Sequence, residues 1–183
     1  MRNGACGGSR TEPRRLRIRR ATAAELTLLP AIETDADRRF AAAGYDFCLD
    51  LPCLEAGHLE RAQAQDLVRV AEVDGALVGF ACGWRVDGAA HLAELSVDCD
   101  HARRGIGGGL LAAFEAAARS GGFLRVTLTT YADIPWNAPW YARRGYRLVA
   151  TDDAPELAAL VATEARLGIA LAPRLVMAKD LSG

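Results

Sequence analysis

Between Leu92 and Thr130 the chain reads LAELSVDCDHARRGIGGGLLAAFEAAARSGGFLRVTLTT, and no other stretch limits the possible folds so tightly. His91, Ala93, Leu95 and Val97 alternate with Leu92, Glu94 and Ser96, the period of a strand. A glycine cluster follows, and then Leu110, Leu111, Phe114, Ala117 and Ala118 recur at helical spacing, with Glu115 and Arg119 expected as an exposed i,i+4 pair. Gly121-Gly122 stop the helix, and Arg125–Thr130 alternates again. Strand, helix, strand at this spacing predicts a right-handed crossover between parallel strands, which commits the chain to an α/β fold.

The flanking segments extend that sheet. Leu67–Val73 and Ala76–Val86 read as strands joined by Asp74-Gly75, a strong hairpin signal. Arg15–Thr22 alternates like an edge strand, and Thr22 with Glu25 has capping-box spacing ahead of a helix that Pro30 should kink or break. After the crossover come a short helix over Ala138–Arg144, a strand at Tyr146–Thr151, a helix over Pro155–Leu167 and a last strand near Pro173–Leu181. The segment Glu33–Glu60 resists assignment, but it carries seven acids against two arginines, a local balance of minus five.

A chain of 183 residues fits one domain, here expected over 15–183, and residues 1–14 have almost nothing to bury and are expected to form a tail. Twenty-two basic against twenty-three acidic residues give no global field for nucleic acid. Five cysteines without metal-ligand spacing, no apolar run after the basic start and no long apolar segment predict reduced thiols, no metal, no membrane span and a cytoplasmic protein.

A glycine-rich turn ahead of a helix lets main-chain N–H groups and the positive helix end meet a phosphate, with Arg103 and Arg104 adding charge. Two common phosphate motifs fail. Gly105-Ile106-Gly107 lacks the third glycine of a dinucleotide fingerprint, and no G-K-[ST] follows as in a P-loop. The run VDCDHARRGIGGGLL instead resembles the acyl-CoA-binding motif of the GNAT superfamily of N-acetyltransferases, Gln/Arg-x-x-Gly-x-Gly/Ala between a strand and a helix, with Ala102 in the first position. Ile134–Val149, IPWNAPWYARRGYRLV, is similar to that family's second block, Asn followed by a helix ending in Tyr-x-x-x-Gly-Phe/Tyr.

The resemblance covers nearly the whole chain and implies a single-domain GNAT fold: a mixed α/β architecture with a central twisted mixed sheet of about six to seven strands, helices on both faces and a splayed parallel strand pair that holds the acyl-CoA. It implies acetyl-CoA as co-substrate, held by Leu95, Ser96 and Val97 on the strand, by Arg103, Arg104, Gly105, Ile106, Gly107 and Gly108 at the turn, and by Asn137 and Tyr141. Asn137 also precedes Ala138-Pro139 as a helix N-cap. Tyr141 is implied as the general acid for the thiolate. Glu94, on the strand beside the gap, is the candidate base, with His91 and His101 behind it. Thr129, Thr130 and Tyr131 are expected on the acceptor side, and Tyr146 in the core. The acidic segment, with Tyr45 and Phe47, would form an acceptor wall suited to a small cationic amine. The alternatives are a protein N-terminal or lysine acetyltransferase and a non-catalytic acyl-CoA-binding regulator. The resemblance also leaves room for a homodimer.

Overall fold

The computed structural model describes residues 15–182, so the tail expected over 1–14 lies outside the described residues. One seven-stranded mixed sheet organises the chain: β1 (Leu16–Arg20), β2 (Val68–Val73), β3 (Ala76–Val86), β4 (Ala89–Val97), β5 (Arg125–Tyr131), β6 (Arg147–Leu148) and β7 (Arg174–Asp180), in the order β1-β2-β3-β4-β5-β7-β6. Every pairing is antiparallel except β4 with β5. Among the described residues five α-helices cover it: α1 (Leu29–Ala41), α2 (Ala56–Ala64), α3 (Ile106–Ser120), α4 (Ala138–Ala142) and α5 (Pro155–Arg166).

The strands form where apolar residues can alternate between two cores. Val68, Val70, Phe80, Cys82 and Trp84 point to the face covered by α1, α2 and the start of α5, where they meet Leu29, Ile32, Leu59, Ala62 and Leu157. Ala71, Val73, Ala81, Leu92, Val126 and Leu128 point to the other face, against Leu110, Leu111 and Phe114 of α3 and Tyr141 of α4. Fully burying one such Leu or Phe contributes about 1.5–3 kcal/mol, so the two cores hold the sheet from both sides. Asp74-Gly75 turns the first hairpin with φ of 51° and 87°, as a type I′ turn demands, and Asp87-Gly88 turns β3 into β4 in the same way with φ of 44° and 77°.

The crossover has one departure from regularity. The parallel ladder of β4 and β5 covers only Ala90–Leu92 against Val126–Leu128. At that place the β3–β4 register shifts, since Cys82 faces Glu94 while Gly83 faces Leu92, leaving Ala93 as an extra residue. A bulge bends its strand, and beyond it Ala93–Val97 no longer pairs with Thr129–Tyr131. Gly83 permits the bend: a Cβ there would lie 1.9 Å from the His91 carbonyl oxygen.

Several sequence expectations change. The helix expected from Thr22 is a 3-10 turn over Ala23–Leu28, and the α-helix begins only at Leu29, with Pro30 in its first turn where the missing N–H is harmless. The helix α2 was not expected. The strand expected over Tyr146–Thr151 is reduced to two exposed residues at the sheet edge. Glu115 is buried rather than exposed. It accepts from the Tyr146 hydroxyl at 3.0 Å and pairs with Lys179 at 2.7 Å, while Arg119 donates to the Leu181 carbonyl.

Candidate active site

A cavity of about 900 Å3 occupies the split between β4 and β5 and extends under α1, α2 and α5. One end is built by the turn between β4 and α3. Arg103 and Gly105 adopt φ of 59° and 84°, and Gly105 is the N-cap of α3. A Cβ on Gly105 would meet nothing within 4 Å, and one on Gly107 would meet only the Val97 side chain at 3.9 Å. These glycines therefore leave open space beside the first unpaired N–H groups of a fifteen-residue helix. That geometry fits a pyrophosphate. Gly109 serves packing instead, because a Cβ there would lie 2.4 Å from Ile18.

Three arginines surround this end. Arg103 is exposed at the turn. Arg144 lies over the Trp140 ring at 3.6 Å, with its guanidinium near Gly108. Arg39 of α1 lies over the Trp136 ring at 4.7 Å, and burial together with the charge of Arg103 lowers its affinity for its proton. Arg39 pairs with no carboxylate among the described residues. Its helix is tied to the turn by Asp35, which accepts from the Cys99 amide at 2.7 Å.

The opposite end is acidic. Glu33, Asp37 and Glu94 all line it. Burial, then the charge of Glu94, pushes Glu33 up to about 9. The same two causes push Asp37 up to about 7. Burial also raises Glu94, against hydrogen bonds from Ser96 and the Leu95 amide that favour its charged form. Arg174, Glu164 and Thr129 close this end: Thr129 donates to Glu164 at 2.6 Å and accepts from Arg174 at 2.7 Å, and Arg174 pairs with Glu164 at 3.2 Å. The roof, α5, is fixed by Asp87, which accepts from the Glu156 and Leu157 amides at 3.2 and 2.8 Å.

Most residues singled out in the sequence meet here. Glu94, Leu95, Ser96, Val97, Arg103, Gly105, Gly107, Gly108, Asn137 and Tyr141 all line the cavity, as do Thr129, Thr130 and Tyr131. The Ile106 side chain is in the core and Arg104 is exposed, so neither side chain is among the lining groups. Asn137 stands at the N-cap of α4, but only its carbonyl does the capping, accepting from Trp140 and Tyr141; its nine-tenths buried side chain makes no cap bond. The Tyr141 hydroxyl has no partner among the described residues, and burial raises its pKa. His91 is buried against Thr127, and burial pushes it down to about 4. His101 bonds Asp98. Tyr45 and Phe47 pack around Tyr131 behind the wall rather than lining it.

Residues 64–148 match the family model described as Acetyltransferase (GNAT) domain. Over those residues the chain is similar to a GNAT acetyltransferase domain. It is 34% identical over 95 residues to "Probable N-acetyltransferase 14" of Danio rerio, a match covering 49% of this chain and 32% of that protein, so the chain spans about a third of the length of this curated relative. Among solved structures it is similar to N-acetylglutamate synthase from Neisseria gonorrhoeae complexed with coenzyme A and N-acetyl-glutamate, with a TM-score of 0.65 and 20% identity over 92% of this chain and 35% of that one. It is also similar to the PaiA N-acetyltransferase from Thermoplasma acidophilum in complex with coenzyme A, with a TM-score of 0.61 and 17% identity over 91% and 99% of the two chains. At these identities the structural likeness shows the GNAT fold.

Within this GNAT fold, the sequence did not single out Arg39, Arg144, Glu33 or Asp37 as individual site residues. The last two lie four apart on one helix, a spacing that puts both on one face, but nothing local says what that face meets. No helix among the described residues is long and apolar enough to cross a membrane.

Proposed function

We propose that the protein transfers an acetyl group from acetyl-CoA to a primary amine by direct attack in a ternary complex, and that the acceptor is small and cationic. One observation carries this reading: a single cavity joins an open, arginine-rich helix N-terminus to a carboxyl cluster, with the unpartnered Tyr141 hydroxyl lining it as well. The co-substrate supplies an activated acyl group on a thioester, so no protein nucleophile is needed. The chain must hold the polyanionic end, stabilise charge on the carbonyl oxygen, neutralise the ammonium and protonate the thiolate.

The turn glycines with Arg39, Arg103 and Arg144 support the first task. Splayed β4 offers main-chain groups for the second. The Leu95 amide now donates to Glu94 Oε1 at 3.0 Å, and Ser96 donates to the same oxygen at 2.7 Å. For Leu95 to serve the thioester carbonyl, the Glu94 carboxyl must turn toward the acceptor. Tyr141 supports the last task, since burial keeps its phenol protonated until a thiolate forms beside it.

Thiol release from acetyl-CoA, measured across a panel of amines, tests the reading. Turnover is expected with small diamines and polyamines. Turnover confined to acidic peptides or neutral arylamines overturns the acceptor class, and coenzyme binding without turnover on any amine overturns the catalysis.

A further inference from the structure

Glu164 at the acceptor end is paired with Arg174, and the other three carboxyls there, Glu33, Asp37 and Glu94, are not equivalent. Both oxygens of Glu33 face the Leu54 amide, at 3.1 and 3.3 Å. Glu94 spends Oε1 on Leu95 and Ser96. Asp37 lines the same cavity, half-buried, and its carboxyl makes no hydrogen bond or ion pair with any described residue. The cavity holds a second group of this kind, the Tyr141 hydroxyl, on a side chain more than nine-tenths buried and equally without a partner. Two proton-carrying groups thus face one space with no partner from the described residues, where a ligand can meet both.

We propose that Asp37 is the general base that takes the proton from the acceptor ammonium, while Glu33 and Glu94 hold that ammonium beside it; this rests on the acetyl-transfer reading above. The groups facing Asp37 are Glu33 from its own helix, Glu94 from β4, Cys48 from the turn after α1 and Cys53 from the segment before α2, with Arg174 of β7 acting on Cys48 and Glu94. Burial pushes both thiols up, so they stay neutral. Glu33, at about 9, keeps its proton at neutral pH and cannot accept another. Asp37, at about 7, is poised near the operating pH, where a general base works best.

The step balances as follows in atoms. An N–H bond of the ammonium breaks and its proton goes to an Asp37 carboxylate oxygen. The electron pair left on nitrogen forms the C–N bond to the acetyl carbonyl carbon. The C–S bond breaks with its pair on sulfur, which takes the phenolic proton of Tyr141. As the adduct collapses to the neutral amide a second N–H bond of the same nitrogen breaks, its proton passes through solvent to the Tyr141 phenolate, and solvent removes the first proton from Asp37.

The test uses the full chain with whichever panel amine turns over, comparing wild type, Asp37→Asn, Asp37→Glu and Glu94→Gln for thiol release against pH, with coenzyme affinity measured by calorimetry. Wild-type activity should fall on the acid side with an apparent pKa near 7. Asp37→Asn should lose about 10²-fold in kcat and lose that acid limb, with coenzyme affinity kept. Asp37→Glu should recover part of the rate, and Glu94→Gln should raise KM for the amine while keeping the limb, moved to lower pH because the charge that helps raise Asp37 is gone. Turnover by Asp37→Asn with the limb intact, or loss of the limb in Glu94→Gln, overturns the base assignment alone. Wild-type protein that binds coenzyme and releases no thiol with any amine overturns the acetyl-transfer reading, and the assignment falls with it.

Discussion

At the α3 end of the cavity, Arg39, Arg103 and Arg144 gather around open glycines; at the other end Glu33, which is buried, crowds with the part-buried Asp37 and Glu94. The two ends differ in how they tolerate that charge. The arginines sit at the rim or over indole rings, where water or a π face meets the guanidinium. Burial raises all three carboxyls, and the charge of Glu94 adds to it at the other two, taking Asp37 to about 7 and Glu33 to about 9. One end is therefore a standing electrostatic site for a polyanion. The other is a proton-exchanging site whose charge depends on what enters it.

Tyr141 belongs to neither charged cluster, and its loss separates binding from chemistry most sharply. Tyr141→Phe should slow thiol release by about 10²-fold, the usual range for a lost general acid, with coenzyme affinity unchanged in a titration. Equal turnover in the variant would place the acid elsewhere and leave the two ends linked by position only.

Removing Arg39 tests whether the positive end extends to α1. Arg39→Ala should weaken coenzyme binding by about tenfold, the equivalent of one charge-assisted contact at a partly open site. The remaining affinity should also be less sensitive to salt. Calorimetry at two ionic strengths measures both. An unchanged affinity would confine the coenzyme end to the β4–α3 turn.

These two ends also differ in how far the sequence discloses them. The turn at the coenzyme end is local: strand, glycines and helix follow one another within residues 92–120, so one contiguous pattern specifies the turn and its exposed amides. The acceptor end is assembled from α1, β4, β5, α5 and β7, elements up to 141 positions apart, as Glu33 and Arg174 are. The excess of acid over Glu33–Glu60 is visible in the sequence, and Glu33, Asp37 and Glu55 of that segment line the cavity, but Glu94 comes from the sheet and Glu156 and Glu164 from α5. The crossover, the first hairpin and the packing side of α3 follow from periodicity. The bulge at Ala93, which opens the cavity, has no periodic signature, and Glu115 looked solvent-facing until Lys179 and Tyr146 closed over it.

The acidic end carries a stability signature that the basic end lacks. Glu33 holds its proton to about 9 in the folded protein against about 4.5 for an ordinary glutamate. The folded state therefore binds more protons across that window, and its stability is full below the lower value and declines as pH rises through the upper one. Glu33→Gln keeps an acceptor for the Leu54 amide and removes the titration. The variant should flatten the loss of Tm between pH 6 and 9, with about 2–4 °C recovered at pH 9 for each kcal/mol regained. Thermal unfolding at both pH values measures it, and an identical slope in the variant would mean that the cluster is hydrated and charged.

The smallest expected effect sharpens the contrast from the coenzyme side. Ala102 occupies the position that the resembling motif gives to Gln or Arg, and it lines the cavity beside Arg103. If main-chain amides and the three arginines already satisfy the phosphates, a polar side chain here adds one bond at most. Ala102→Gln should tighten coenzyme binding by about 0.5–1.5 kcal/mol, the net value of a single hydrogen bond, and leave the KM for the amine unmoved. Position 102 leads directly into the left-handed backbone at Arg103 and Gly105, so a bulkier side chain that disturbed the turn would weaken binding instead. A gain confined to the coenzyme would show that the two ends can be tuned separately. A matching change in amine KM would show that the turn reaches the carboxyl cluster through α1, by way of the Asp35–Cys99 bond.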